Sequence, residues 1–160
     1  KLISDQAERL GLESIVTGSA DAMDLESTFE HSSFDRILLD APCSGLGVIH
    51  RKPDLKWRKE PEDVASIAAL QIGLLESVSK LLKPGGVLVY STCTTEQAEN
   101  SDILNSFLHN NPDFTAVTFA SPLWDRLKET ALAKGEGIQI LPNHFGSDGF
   151  YISRLQRRLQ

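Results

Sequence analysis

The chain has 160 residues, of which 41% are hydrophobic and 24% charged, a balance typical of one soluble globular domain rather than of a disordered protein. Its longest apolar run is far too short for a transmembrane helix, and its charged, amphipathic start is unlike a signal peptide. The formal net charge of −6 excludes a uniformly basic nucleic-acid-binding surface. Two cysteines are too few for a disulfide framework, so we expect a reducing, cytoplasmic setting.

The N-terminal part of the chain is predicted to contain a helix and two strands. Residues 4–12 indicate the end of a helix that Gly11 helps to stop, and SIVTGSADA (14–22) indicates a short strand running into a loop. The segment FDRILLDAP (34–42) contains three consecutive aliphatic residues at 37–39. Because they do not alternate with polar residues, we expect a strand that is buried on both faces within a parallel sheet.

A long helix and a second strand are predicted next. Residues 61–82 begin with Pro61 and acidic residues and continue with apolar residues at helical spacing. The sequence KPGG (83–86) is predicted to end this helix, and VLVYSTC (87–93) is typical of a second buried strand. A further helix is predicted within residues 95–111, before Pro112.

The C-terminal part is predicted to consist mainly of strands, with a tight GSDG turn (146–149) before the last of them. The predicted late strands are residues 114–119, 137–141 and 149–155. Strands that alternate with helices and are followed by further strands predict an α/β fold with a doubly wound sheet.

Positive charge is concentrated in one segment, HRKPDLKWRK (50–59), which has five Lys or Arg residues and one Asp. The rest of the chain carries 11 basic and 21 acidic residues, so the cluster stands in an acidic background. A basic segment is either a solvated face or a phosphate contact, and the concentration of charge favours contact with nucleic acid. Trp57 within it either stacks on a base or packs in the core, and both interpretations stay open.

Two cysteines follow the two predicted buried strands, in the sequences DAPCSG and YSTCTT. If these strands are parallel neighbours joined by one right-handed crossover, both cysteines emerge at the carboxyl edge of the sheet, where ligands bind. We therefore expect Asp40, Cys43, Ser91 and Cys93 to share one cleft. A single cysteine at a strand end is more often a packing residue, but two at equivalent positions favour chemistry.

A metal site and a disulfide are both less favoured interpretations of these cysteines. The cysteines are widely spaced, and none of the histidines lies at a ligand-like interval from another ligand. The histidines are His31, His50, His109 and His144. A disulfide between adjacent strand ends is sterically conceivable, but it fits a reducing compartment poorly. We therefore expect no metal.

Three segments resemble a known family. DAPCSGLGVIHRKPDLKWR (40–58) and YSTCTTEQAEN (90–100) resemble the fourth and sixth motifs of RNA cytosine-5 methyltransferases, particularly the bacterial Sun (Fmu) type that acts on small-subunit ribosomal RNA. LPNHFGSDGFYISRL (141–155) is similar to the closing segment of that family. The resemblance implies a partial Rossmann-like class I sheet with late antiparallel strands. It also implies methyl transfer from S-adenosylmethionine to carbon 5 of a cytosine in RNA, with 16S ribosomal RNA as the expected partner.

The resemblance also implies a role for each candidate site residue. Cys93 is the expected nucleophile, Cys43 is expected to help product release, and Asp40 is expected near both the reacting centre and the cofactor. Chemistry alone leaves the order of the two thiols open, because either thiolate could add to the base. Asp21 is expected to contact the adenine of S-adenosylmethionine, although a turn or capping role fits it equally well. The expected RNA contacts are Arg51, Lys52, Lys56 and Arg58.

Parts of the resembled family have no counterpart in this sequence. We find no glycine-rich cofactor loop after a first strand, no following strand that ends in an acid, and no N-terminal RNA-binding region. We therefore expect residues 1–160 to be the C-terminal portion of a catalytic domain that lacks its first two strands and is inactive by itself. The alternative is a non-catalytic RNA-binding or assembly module on the same fold, which the presence of Cys43, Cys93 and Asp40 disfavours.

Overall fold

The computed structural model describes residues 1–58, 60–118, 132–134 and 137–159. The helices are α1 (Leu2–Arg9), α2 (Leu55–Arg58), α3 (Pro61–Lys80), α4 (Ser101–Asn110) and α5 (Pro142–Phe145). The strands are β1 (Phe34–Asp40), β2 (Leu82–Thr92), β3 (Phe114–Ala116), β4 (Leu132–Lys134), β5 (Gly137–Ile140) and β6 (Phe150–Arg157). Short 3-10 turns cover residues 25–27, 46–48 and 97–99.

The described strands form one mixed sheet in the order β1-β2-β6-β5-β4, with β3 also paired to β6. β1 and β2 are parallel and joined through α3, whereas every other described pair is antiparallel. The α/β class, the parallel β1–β2 pair and the late antiparallel strands are thereby confirmed. β2 and β6 lie at the centre of the sheet, so β2 is the buried strand that its apolar sequence predicts.

The helix α3 begins as its sequence predicts. Pro61 occupies its first turn, and the Glu60 amide donates to Asp63 Oδ2 at 3.0 Å, which satisfies a backbone donor that the helix leaves free. The helix ends at Lys80, earlier than predicted, because Leu82 already pairs with Phe34 in β1. The KPGG segment therefore lies inside β2, at the point where the register with β1 shifts.

The hydrophobic core lies between the sheet and the helices α3 and α4. Its fully buried members come from every layer and include one aromatic residue from each of the two central strands. They are Leu75 of α3, Leu104 and Phe107 of α4, Leu82, Leu88 and Tyr90 of β2, and Tyr151 and Leu155 of β6. Because β2 carries the second cysteine at its end, this packing also fixes one wall of the candidate site.

Two predictions for the N-terminal part are wrong. Residues 14–22 form no strand, and Val16 is 95% exposed. β1 is an edge strand of the described sheet rather than a strand buried on both faces, since Leu38 is 69% exposed while Leu39 is buried. The physical reason is shared: a strand forms where a neighbour pairs with its backbone, and no described strand lies on the outer side of β1.

The remaining predicted elements are shorter than expected. The helix within residues 95–111 begins as a 3-10 turn and becomes α-helical at Ser101. The strand predicted at 114–119 ends at Ala116, and Phe119 lies outside the described residues. In the described parts of the chain, no helix has both the length and the apolar composition needed to cross a lipid bilayer.

Candidate active site

The candidate site begins where β1 and β2 end side by side. Asp40, the last residue of β1, lies opposite Ser91 in the parallel register. The Ala41 amide extends this ladder by donating to the Ser91 carbonyl at 2.9 Å. Cys43 and Cys93 follow within three residues of this pair, so both emerge at the carboxyl edge of the two strands. This is the edge at which α/β sheets bind ligands.

The two thiols are in contact. The sulfur atoms of Cys43 and Cys93 lie 3.3 Å apart, and both residues are partly buried free cysteines. The adjacency predicted from the strand order is therefore confirmed. Burial, with the hydrogen bond and the charge of the neighbouring Cys93 sulfur, raises the pKa of the Cys43 thiol to about 12. Cys43 thus keeps its proton at neutral pH and can donate it in a hydrogen bond to the Cys93 sulfur.

Asp40 presents an exposed carboxylate beside the two loops that carry Cys43 and Cys93, which we call the thiol loops. Its Oδ1 atom accepts a hydrogen bond of 3.0 Å from the hydroxyl of Ser91, which is itself buried. This bond restrains the orientation of the carboxylate and uses only part of its capacity as an acceptor. Asp40 can therefore accept hydrogen bonds from a ligand at the edge of the sheet.

Asp21 lies in an exposed turn that precedes the 3-10 turn at residues 25–27. Its Oδ1 atom accepts from the Met23 amide at 2.9 Å, and its carbonyl accepts from the Asp24 amide at 3.0 Å. These contacts are those of a local turn, the role that the sequence left open for Asp21. A contact with the cofactor stays a prediction.

The loop after Cys43 packs against the loop after β2 through Gly47. The Gly47 amide donates to the Cys93 carbonyl at 3.0 Å, and the Gly47 carbonyl accepts from the Gly149 amide at 2.8 Å. A β-carbon at Gly47 would lie 2.2 Å from the Gly149 carbonyl oxygen and 2.7 Å from that of Cys93. Glycine is therefore required here because three backbone segments pack closely together.

We expect Gly47→Ala to lower the free energy of unfolding by about 1–3 kcal/mol, because the added methyl group meets backbone atoms on two sides. Denaturation in urea measures the effect. Gly18→Ala is the matched control, since a β-carbon there meets nothing within 4 Å, and its effect should stay within about 0.5 kcal/mol. Equal stability of the two variants would contradict the packing role of Gly47.

A buried carboxylate lies beneath the loops that carry Cys43 and Cys93, and no pattern in the sequence predicts its burial. Glu99 is fully buried, and its Oε2 atom accepts from the Ser44 amide at 2.8 Å and from Gln71 Nε2 at 3.1 Å. Its Oε1 atom accepts from the Thr94 hydroxyl at 3.4 Å. The only sequence signal was an acidic residue within a polar stretch, which equally predicts an exposed first turn of a helix.

A second buried polar group, the Asn100 side chain, joins the end of β2 to the late strands. Asn100 Oδ1 accepts from the Thr92 hydroxyl at 2.6 Å, while Nδ2 donates to the Thr94 carbonyl at 3.1 Å and to Gln139 Oε1 at 2.9 Å. Gln139 in turn donates to the Phe150 carbonyl at 3.0 Å. The loop that carries Cys93 is thus held by hydrogen bonds from three parts of the chain, which limits its freedom to move.

The basic segment lies next to the GSDG turn. Arg51 Nε is 3.1 Å from Asp148 Oδ1, His50 Nε2 is 3.3 Å from the same atom, and Lys52 is exposed. Trp57 is 77% exposed, so it is not the core residue that one interpretation predicted. The side chains of Lys56 and Arg58, and all of Lys59, lie outside the described residues. Nowhere in the described segments does a group of three or more His, Cys, Asp or Glu residues offer a metal site.

Comparison with known proteins places the chain in a family. The family model described as 16S rRNA methyltransferase RsmB/F matches residues 1–156. The chain is 43% identical over 159 residues to a probable ribosomal RNA small subunit methyltransferase B of Bacillus subtilis, covering 99% of this chain and 35% of that protein. The chain therefore spans about a third of the length of the curated relatives that it matches.

Solved structures of similar sequence agree with this placement. The crystal structure of NSun6 from Pyrococcus horikoshii with SFG has a TM-score of 0.75 and 26% identity, covering 99% of this chain and 38% of that one. A methyltransferase homolog protein from the same organism also has a TM-score of 0.75, with 28% identity and coverage of 96% and 48%. Because the family model spans nearly the whole sequence, this chain belongs to the 16S rRNA methyltransferase RsmB/F family.

Proposed function

We propose that this chain carries the thiol part of the active site of an S-adenosylmethionine-dependent RNA methyltransferase, which modifies carbon 5 of a cytosine in small-subunit ribosomal RNA. The observation that carries the proposal is the 3.3 Å contact between the Cys43 and Cys93 sulfur atoms. The contact lies at a strand edge that also presents the Asp40 carboxylate. The names of the curated relatives, ribosomal RNA small subunit methyltransferase B, support the choice of RNA.

In the proposed reaction Cys93 is the nucleophile. Carbon 5 of cytosine reacts poorly with electrophiles, and addition of the Cys93 thiolate to carbon 6 makes carbon 5 nucleophilic. When bound, S-adenosylmethionine supplies an electrophilic methyl group on a sulfonium. Loss of the carbon 5 proton to a base then allows the bond between carbon 6 and the Cys93 sulfur to break, and the electron pair returns to sulfur.

In this reaction Cys43 assists release of the product. The raised pKa of Cys43 keeps its thiol protonated at neutral pH, which makes Cys43 a poor nucleophile in this structure. A protonated thiol 3.3 Å from the Cys93 sulfur can donate a hydrogen bond to the thiolate that departs from carbon 6. A Cys43 thiol that keeps its proton supports the order of the two thiols that the family resemblance implies.

The two candidate cofactor contacts are compatible with S-adenosylmethionine. Asp40 and Asp21 are both exposed carboxylates, which suit the amino groups of the methionine and adenine parts. We also propose that these 160 residues act within a longer enzyme, whose other residues complete the cofactor pocket. The outer edge of β1, which no described strand covers and where Leu38 is exposed, supports this proposal, as does the greater length of the relatives.

We further propose that Arg51, Lys52, Lys56 and Arg58 contact RNA phosphates, and that the exposed Trp57 stacks on a base. The target cytosine must leave its stack to reach Cys93, which costs a few kcal/mol in typical base-flipping systems.

The free thiols in contact also suit a reducing compartment such as the cytoplasm.

Replacement of Lys52 by alanine tests the phosphate contacts. We expect the slope of log Kd for RNA against log salt concentration to fall by about 0.7–0.9, the value for one phosphate contact. Lys83→Ala is a control of equal charge, because Lys83 lies partly exposed at the opposite end of β2, where it pairs with Asp35. Filter binding between low and moderate salt measures both slopes, and an equal change in the two variants would contradict a specific contact.

The function itself is tested with the full-length family protein that contains this segment. Transfer of labelled methyl from S-adenosylmethionine to unmodified 16S ribosomal RNA, followed by nucleoside analysis, should yield 5-methylcytidine. Binding of RNA without any methyl transfer would instead favour the non-catalytic module, and methylation at another atom would refute the carbon 5 assignment.

A further inference from the structure

The buried carboxylate of Glu99 connects the two loops that carry the thiols. Ser44 and Thr94 directly follow Cys43 and Cys93 in the chain. Glu99 accepts from the Ser44 amide at 2.8 Å and from the Thr94 hydroxyl at 3.4 Å, so one side chain holds both loops. The Ser44 and Thr94 hydroxyl oxygens are themselves 2.8 Å apart and complete the link.

The opposite side of this link is fixed by Gln71 of α3. Gln71 Nε2 donates to Glu99 Oε2 at 3.1 Å and to the Pro42 carbonyl at 2.8 Å, so it restrains the residue before Cys43 as well. Both partners are acceptors, which sets the orientation of the amide, and Gln71 Oε1 is left buried with no partner in the described structure. Gln71 therefore ties the residue before Cys43 to the carboxylate that holds both loops.

The backbone of Glu99 is anchored as firmly as its side chain. The Tyr90 hydroxyl donates to the Glu99 carbonyl at 2.8 Å inside the core. Burial and the Glu99 carboxylate raise the pKa of Tyr90, which keeps this donor protonated. Glu99 is therefore a fixed point against which the positions of both loops are set.

We propose that Glu99 is a positioning residue that sets the separation of the Cys43 and Cys93 sulfur atoms through Ser44 and Thr94. Its side-chain hydrogen bonds run to Ser44, Gln71 and Thr94 and not to the sulfur atoms, so it acts on the contact between the two thiols rather than on binding of substrate. This inference deepens the proposed function and rests on it for its consequence in catalysis. The claim that Glu99 sets the separation of the two sulfur atoms does not depend on the proposed function.

Two variants distinguish the effect of side-chain length at position 99 from the effect of its negative charge. Glu99→Asp keeps the charge but is one methylene too short to hold both loops, whereas Glu99→Gln keeps the length and an acceptor oxygen for the Ser44 amide. If position is the role, the Asp variant is impaired and the Gln variant is close to wild type. Asp102→Asn is the matched control, because Asp102 is an exposed acid on the neighbouring turn of α4.

The first measurement is independent of the proposed reaction. The resting full-length protein is treated with diamide, and the rate of disulfide formation between Cys43 and Cys93 is followed by mass spectrometry of the peptides. We expect Glu99→Asp to slow this rate by about 10- to 100-fold, the effect typical of misplacing reacting groups by about 1 Å. Glu99→Gln and Asp102→Asn should stay close to wild type.

The second measurement is steady-state methyl transfer, normalised to the fraction of protein that traps 5-fluorocytosine RNA. We expect kcat of Glu99→Asp to fall by a similar factor while KM for RNA stays unchanged, a pattern that partial unfolding would not produce. If Glu99→Asp does not fold, Thr94→Val removes one hydroxyl of the link at similar volume and should slow both reactions in the same direction.

A folded Glu99→Asp variant with wild-type disulfide and methylation rates would overturn the positioning role. Equal impairment of Glu99→Asp and Glu99→Gln would also overturn the positioning role. Glu99→Gln keeps the side-chain length, so the loss in that variant would have to come from the missing charge. If the disulfide rates change as expected but wild-type protein transfers no methyl group, the proposed function fails and the positioning role stands.

Discussion

Replacing Cys93 with alanine is expected to abolish methyl transfer by the full-length protein, with a loss of at least about 10⁴-fold, as is typical when a covalent nucleophile is removed. The same variant should form no covalent adduct with RNA that contains 5-fluorocytosine. The reason is that only a sulfur at this position, at the end of β2, can form the bond to carbon 6 in the proposed reaction. Denaturing gel electrophoresis of the trapped complex measures the adduct directly.

Cys93→Ser is the companion variant for this test. It keeps the size of the side chain and the packing of the loop, but a hydroxyl ionises too little at neutral pH to replace a thiolate. We expect it to be as inactive as the alanine variant while retaining cooperative thermal unfolding. An adduct that persists in Cys93→Ala would transfer the role of nucleophile to Cys43 and refute the proposed order.

The opposite result is expected for Cys43→Ala, namely accumulation of a covalent complex with ordinary RNA in the presence of S-adenosylmethionine. Without the Cys43 thiol, the departing Cys93 thiolate loses the hydrogen bond offered by the protonated thiol 3.3 Å away. Loss of acid assistance of this kind typically slows a step by about 10²–10⁴-fold. A band of the protein–RNA complex that resists denaturation is the measurement.

The double variant Cys43→Ala/Cys93→Ala supplies the control, because it should form no such complex. The complex seen with Cys43→Ala must also require S-adenosylmethionine if it forms after methyl transfer. Rapid turnover by Cys43→Ala without accumulated complex would show that product release does not depend on this thiol.

The adjacency of the two cysteines was predictable because it follows from local patterns combined with one topological rule. Apolar runs predict β1 and β2, and the helical spacing of residues 61–82 predicts the connection between them. Parallel strands joined by one helix are usually neighbours, and their carboxyl ends share one edge. The position of Cys43 relative to Cys93 is therefore encoded within about 60 consecutive residues of the sequence.

Contacts between distant parts of the chain were not predictable in the same way. The placement of Gly47 against Gly149 and the burial of Glu99 beneath Ser44 join segments that no local pattern relates. The failed prediction of a strand at residues 14–22 has the same origin, because its pairing depends on a neighbour and not on its own residues.

The sequence by itself determined the α/β class, the parallel β1–β2 pair and the adjacency of Cys43 and Cys93, since each depends on residue type and short-range periodicity. Only the tertiary structure decided that β1 lies at the edge of the described sheet, and that Glu99 and Gly47 hold the thiol loops together. The physical reason is that hydrogen bonding and close packing act between whatever groups the folded chain brings together, at any separation in sequence.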